Sequence, residues 1–95
     1  MAIFVTFCRD KAGALERRVA ARPEHLAYLS EHAAKVKLAG PLLSESGESN
    51  GSLIIFEAED LAAARAFAAG DPFALAGVFE QVEVRPWRVS IGVLA

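Results

Sequence analysis

The chain has 95 residues, enough for one domain with a modest core. Ten basic and twelve acidic residues leave a net charge of −2 with no Lys/Arg stripe, which argues against nucleic acid as a partner. No apolar run nears the ~20 residues of a membrane helix, the start MAIFVTFCRDK has neither the basic region nor the cleavage site of a signal peptide, and the single cysteine, Cys8, cannot form an intramolecular disulfide. A cytoplasmic protein is therefore expected. With 54% hydrophobic residues, a domain this small cannot hide all of its apolar surface, so a second copy is expected to cover one face.

Residues 2–8, AIFVTFC, are apolar at both parities and predict a strand buried on both faces. Asp10 is a candidate cap for a helix over KAGALERRVAA, with Leu15 and Val19 on one face. Pro23 interrupts that helix and restarts it, since proline fits a first helical turn. The second helix is predicted over PEHLAYLSEHAAKVK, with Leu26, Leu29, Ala33 and Val36 as a core stripe.

LAGPLLS, 38–44, reads as a strand whose Pro41 assigns it to a sheet edge. The small polar residues 45–51 predict a turn, with Gly51 serving the hairpin, and SLIIFEA, 52–58, is a second doubly apolar strand. Asp60 caps a helix that ends at Gly70, and DPFALAG makes a short helical turn. The last strand, 78–90, alternates at Val82 and Val84 and carries Pro86, another edge marker. The order β-α-β-β-α-β gives an α+β, ferredoxin-like antiparallel sheet with helices on one face and strands 1 and 3 in the middle. Its uncovered apolar face is the second reason to expect a sheet-to-sheet homodimer.

Three residues invite chemistry. His25 stands in what reads as a first helical turn, where the helix dipole disfavours the imidazolium and a nearby carboxylate would oppose that effect. It is either an acid/base group or a capping histidine. Asp71, followed by Pro72, is an N-cap that still has acceptor capacity for a second task. Arg22 is either a partner for an anionic substrate or a solvated charge. His32 lies two turns from His25, about 10 Å away, too far to share a metal ion, and reads as an exposed helix histidine. Cys8 reads as a small buried hydrophobe, and Phe79 and Trp87 as packing residues.

The linked pieces RPEHLAYL, AGPLL, GSLIIFEA and GDPFALAGVFEQVEVRPW resemble the YciI-like family, small bacterial proteins of the dimeric α/β-barrel superfamily. The resemblance runs from the first strand to Trp87. It implies a ferredoxin-like domain that dimerises through its sheet face, with His25 and Asp71 together in an active-site pocket. Because relatives include isomerases and dehydrochlorinating enzymes, it also implies cofactor-free, metal-free acid–base chemistry on a small molecule: isomerisation, elimination or hydrolysis. The competing expectation is a non-catalytic metabolite-binding or accessory domain, since one fold hosts many functions.

Overall fold

A computed structural model describes residues 1–94. The elements are β1 (Ala2–Asp10), α1 (Leu15–Glu31), β2 (Val36–Leu43), β3 (Ser49–Ala58), α2 (Leu61–Ala69), α3 (Pro72–Leu75) and β4 (Phe79–Pro86). The four strands form one antiparallel sheet in the order β2-β3-β1-β4. The doubly apolar strands are central and the proline-bearing strands lie at the edges, as the missing ladder donor of proline requires.

The register sets the two faces of the sheet. Phe4 pairs with Phe56, Thr6 with Ile54 and Cys8 with Ser52, and all six are buried beneath the helices. Val84 and Val82 join this face from β4, opposite Thr6 and Cys8. The core divides into two clusters. Phe4, Ile54, Phe56, Ala58 and Ala64 form one, and Cys8, Ala14, Phe73, Val78 and Phe79 the other. Along β1 the polar Thr6 separates Phe4 of the first cluster from Cys8 of the second. The opposite face carries Ile3, Val5 and Phe7, with Phe7 still 47% exposed.

The first helix departs most from expectation. It is one continuous helix with Pro23 inside it. Asp10 does not cap it: Asp10 ends β1, and the cap position is Ala14, which makes no side-chain cap bond. Pro23 costs the bond to the Val19 carbonyl. The ring points to the exposed side, where water can serve that carbonyl, and buried residues on both sides of it, Arg18 and His25, hold the two halves in line. The helix stops at Glu31. Val36 joins the first core cluster from β2, opposite Phe56, and Lys37 pairs with Glu57 at 2.7 Å.

The apolar stripe of α1 is core only in part, since Leu29 packs against the first cluster. Leu15, Val19 and Leu26 remain exposed, while the residues α1 buries are Arg18 and His25. The close backbone neighbour of α1 is α3 and not the sheet. On the side toward β2, α1 borders an open space. At the other end of the chain, β4 stops at Pro86 short of the expected Ser90, and Trp87 is 42% exposed where packing was expected.

Asp60 caps α2 as read, accepting from the Ala63 N–H at 2.8 Å. Gly51 is not a turn residue but part of β3, in the close approach to β1. An added Cβ there would run into the Cys8 carbonyl oxygen. Gly51→Ala is expected to cost about 1–3 kcal/mol of stability through this overpacking. Gly40→Ala, in open space, should stay within about 0.5 kcal/mol of wild type. Urea unfolding of the two variants checks this, and equal stabilities would contradict the register.

Candidate active site

Asp71 follows Gly70, which ends α2, and it caps α3. Its Oδ1 accepts the Phe73 N–H at 2.9 Å and is also 2.8 Å from His25 Nδ1. One carboxylate oxygen thus serves both the helix cap and the histidine. Both side chains are nearly sealed from solvent. With Asp71 ionised, Nδ1 is the donor. Nε2 then has no hydrogen-bond partner among the described residues. The ring stacks on Phe73 with centroids 3.9 Å apart and planes at 15°. Hydrogen bond and stack together fix the orientation of the imidazole. His25 lies in mid-helix, not in a first turn, so the helix-dipole argument does not apply to it.

Arg18, one heptad before His25, is the residue that sequence reasoning missed. Only 5% exposed, it forks onto Asp10 through Nε at 2.7 Å and Nη2 at 3.0 Å. Nη2 also donates to the Gly51 carbonyl at 2.7 Å and to Ser52 Oγ at 2.8 Å. The guanidinium lies over Phe73, 4.4 Å from the ring centroid. A buried ion pair persists only with such geometry, because desolvation of two charges opposes it. Asp10 is therefore the anchor of an arginine rather than a helix cap. The available signal was the seven-residue spacing from Arg18 to His25, which puts both on one face of a continuous helix.

These groups border a cavity of about 330 Å³ between α1 and β2. Leu15, Val19, Leu26 and Leu29 provide hydrocarbon walls, and Ala39 and Pro41 close the β2 side. Arg18, Arg22 and His25 supply polar groups from α1, and Ser49 and Ser52 from β3. Arg22 is exposed at this rim. Among the described residues the wall contains no carboxylate.

The remaining candidates lie elsewhere or are inert. Among the described residues no three His, Cys, Asp or Glu side chains converge as metal ligands would. His32 is half-buried rather than exposed. It sits edge-on to Phe67 and its Nδ1 donates to the Tyr28 carbonyl at 2.8 Å. The Tyr28 hydroxyl donates to the Phe67 carbonyl, and burial, then the charges of Asp71 and Glu31, raise its pKa. Cys8 is in the core beside the site. Burial first, then the negative charge of Asp71, push its thiol up to about 12, against an opposing pull from Arg18.

Comparison with known proteins adds four facts. Residues 2–88 match the YCII-related domain. The chain is 37% identical to protein YciI of Escherichia coli O6:H1 over 94 residues, covering 90% of this chain and 96% of that protein. Among solved structures, 5-chloro-2-hydroxyhydroquinone dehydrochlorinase from Burkholderia phenoliruptrix AC1100, in complex with 2,5-dihydroxybenzoquinone, superposes with a TM-score of 0.86 at 33% identity, covering 90% of this chain and 93% of that one. An antibiotic biosynthesis monooxygenase superposes at 0.56 with 13% identity, covering 96% and 100% of the two chains, a likeness of fold alone.

A thiol that deprotonates only near pH 12 carries almost no thiolate at pH 8. Native protein is expected to resist a disulfide reagent at that pH and to react at once in denaturing urea. Rapid stoichiometric labelling of the folded protein would contradict the burial of Cys8.

Proposed function

The chain belongs to the YCII-related family, and from that premise we propose that it is a small enzyme performing cofactor-free, metal-free proton transfer on a compact ring compound. The observation that carries this reading is the 2.8 Å bond from His25 Nδ1 to a buried Asp71 carboxylate, with Nε2 unengaged on a residue that lines the cavity. Fixing the proton on Nδ1 leaves a lone pair on Nε2, the requirement for a general base. When Nε2 takes a proton, the Asp71 carboxylate stabilises the imidazolium. Asp71 acts here as a positioning residue, since it touches His25 rather than the ligand. Arg22, at the rim, draws an anionic substrate inward.

The likeness to a dehydrochlorinase supports elimination as the reaction form. In that form a ring hydroxyl of the substrate first becomes a ketone by passing its proton to the chlorine-bearing carbon; Nε2 then accepts the proton of another ring hydroxyl, the electron pair moves through the ring, and chloride departs with its bonding pair to leave a quinone. Proton and chloride balance, and no oxidant enters. Isomerisation uses the same base, with the proton returned to another carbon. Hydrolysis would need a water in place of the departing group's partner.

The second reading, a binding or accessory domain, is favoured by one observation. Asp71 Oδ1 also caps α3 through the Phe73 N–H, so the pair could serve to pin α3 to α1. The two readings part on turnover. Proton transfer by a placed group typically contributes 10²–10⁴-fold. With 5-chloro-2-hydroxyhydroquinone as the probe, wild type is expected to release chloride, and His25→Ala to do so at least 10²-fold more slowly while remaining folded by circular dichroism. Chloride release by His25→Ala at the wild-type rate would overturn the catalytic reading. So would unfolding of His25→Ala together with a harmless Asp71→Asn.

We also propose that the working form is a homodimer through the sheet face, in the cytoplasm, where the lone Cys8 would stay reduced. Phe7 at 47% exposure and Leu38 at 58% extend the apolar surface begun by Ile3, Val5 and Leu53, and a monomer would leave all of it in water. Phe7→Lys is expected to convert a dimer to a monomer in sedimentation. A wild-type monomer at micromolar concentration would contradict the assembly.

A further inference from the structure

We propose that Tyr28 is a positioning residue for the His25–Asp71 pair. Its hydroxyl, held by the Phe67 carbonyl in the space that Gly70 leaves, sets the α2–α3 corner at the level of α1 where the carboxylate meets Nδ1. The inference rests on the reading of His25 as a base and adds the residue that keeps its partner in place.

Hydrogen bonds tie α1 to the segment 67–77 at successive levels. Arg17 Nη1 donates to the Gly77 carbonyl at 2.9 Å, His25 meets Asp71 at 2.8 Å, and the Tyr28 hydroxyl donates to the Phe67 carbonyl at 2.8 Å. Tyr28 stands three residues after His25, so the two are neighbours on one face of α1. Phe67 stands four residues before Asp71, in the last turn of α2. The Arg17 tie is exposed, and there water competes for both groups. The bond from the Phe73 N–H holds the Asp71 carboxylate only to its own turn. How far that turn stands from α1 is set by ties to α1, and Tyr28 supplies one beside the pair.

Gly70 and the Tyr28 hydroxyl fit each other. Gly70 has φ −83° and ψ −6°, right-handed values open to any residue, so no left-handed cap calls for glycine there. Space does: an added Cβ would stand 2.7 Å from the Tyr28 hydroxyl oxygen and 3.3 Å from Cζ. The ring itself is stacked on Phe67 with centroids 5.1 Å apart and flanked by His32 at 4.7 Å. A phenylalanine would fill that place equally well, and only the hydroxyl reaches the Phe67 carbonyl. Tyr28 takes no part in the cavity wall, so it acts through the corner and not on a ligand. Burial, then the charges of Asp71 and Glu31, make the phenol hold its proton to higher pH than usual, which preserves the donor.

The test reads the His25 imidazole by proton–nitrogen NMR, beside chloride release from 5-chloro-2-hydroxyhydroquinone. Tyr28→Phe keeps the ring and removes the tie. It is expected to lower the ratio of Nδ1-protonated to Nε2-protonated neutral ring about threefold or more, within the worth of one hydrogen bond. Chloride release should fall about tenfold in kcat, the result of a displaced base, with KM unchanged because Tyr28 does not touch the ligand. Ile54→Val, a truncation of similar cost in the first core cluster, should move neither readout. Gly70→Ala should shift the ratio as Tyr28→Phe does, and should add nothing in the Tyr28→Phe background, where the oxygen it would strike is gone. A wild-type ratio in folded Tyr28→Phe overturns the inference, and so does an equal shift in Ile54→Val. Should Tyr28→Phe not fold, a wild-type ratio in Gly70→Ala overturns it instead. A ratio that shifts in Tyr28→Phe while wild type releases no chloride supports the positioning and counts against the enzyme. An unshifted ratio with chloride release intact leaves the catalytic reading standing without Tyr28.

Discussion

A hydrogen bond of 2.8 Å between His25 and Asp71 joins the middle of α1 to the cap of α3, and the site is built around it. The bond places the His25 ring against Phe73, and Phe73 in turn lies under the Arg18 guanidinium. Arg18 reaches back to Asp10 at the end of β1 and to β3 through Gly51 and Ser52. Three side chains of one helix–turn–sheet corner are thus oriented in series from a single carboxylate. Removing that carboxylate would free the imidazole and leave the Phe73 N–H without its cap.

The polar groups are here because α1 is turned the unusual way round. A helix against a sheet normally buries its apolar stripe. This one buries an arginine and a histidine and leaves Leu15, Val19 and Leu26 to border a cavity. Burying an arginine is costly unless its donors are met, and four hydrogen bonds from Nε and Nη2 meet that need. The gap between α1 and β2 follows from the same arrangement, since α1 packs its backbone closely on α3 alone.

The architecture was largely legible in the sequence. Apolar residues at both parities marked β1 and β3 as central, and Pro41 and Pro86 marked the edges, because a ladder has no place for a missing donor. The caps at Asp60 and Asp71 followed from local chemistry alone. The pairing of His25 with Asp71 was different: only the family resemblance brought them together, since no local pattern links residues that far apart. The pairing of Arg18 with Asp10, which read as a helix cap, escaped notice because a buried ion pair looks, in sequence, like two surface charges. The break expected at Pro23 failed for a tertiary reason, as buried residues on either side of the proline keep the helix intact. The fold itself does not choose the reaction. A dehydrochlorinase and an antibiotic biosynthesis monooxygenase share it, so the chemistry must be argued from side chains.

The central claim is that Asp71 holds the proton of His25 on Nδ1 and leaves Nε2 bare. Long-range proton–nitrogen NMR of the imidazole, followed through a pH series, reads this directly. The account expects a protonated Nδ1 and a pyridine-type Nε2 in wild type, with that tautomer preference weakened in Asp71→Asn. A protonated Nε2 opposite a bare Nδ1 in the wild-type protein would contradict it.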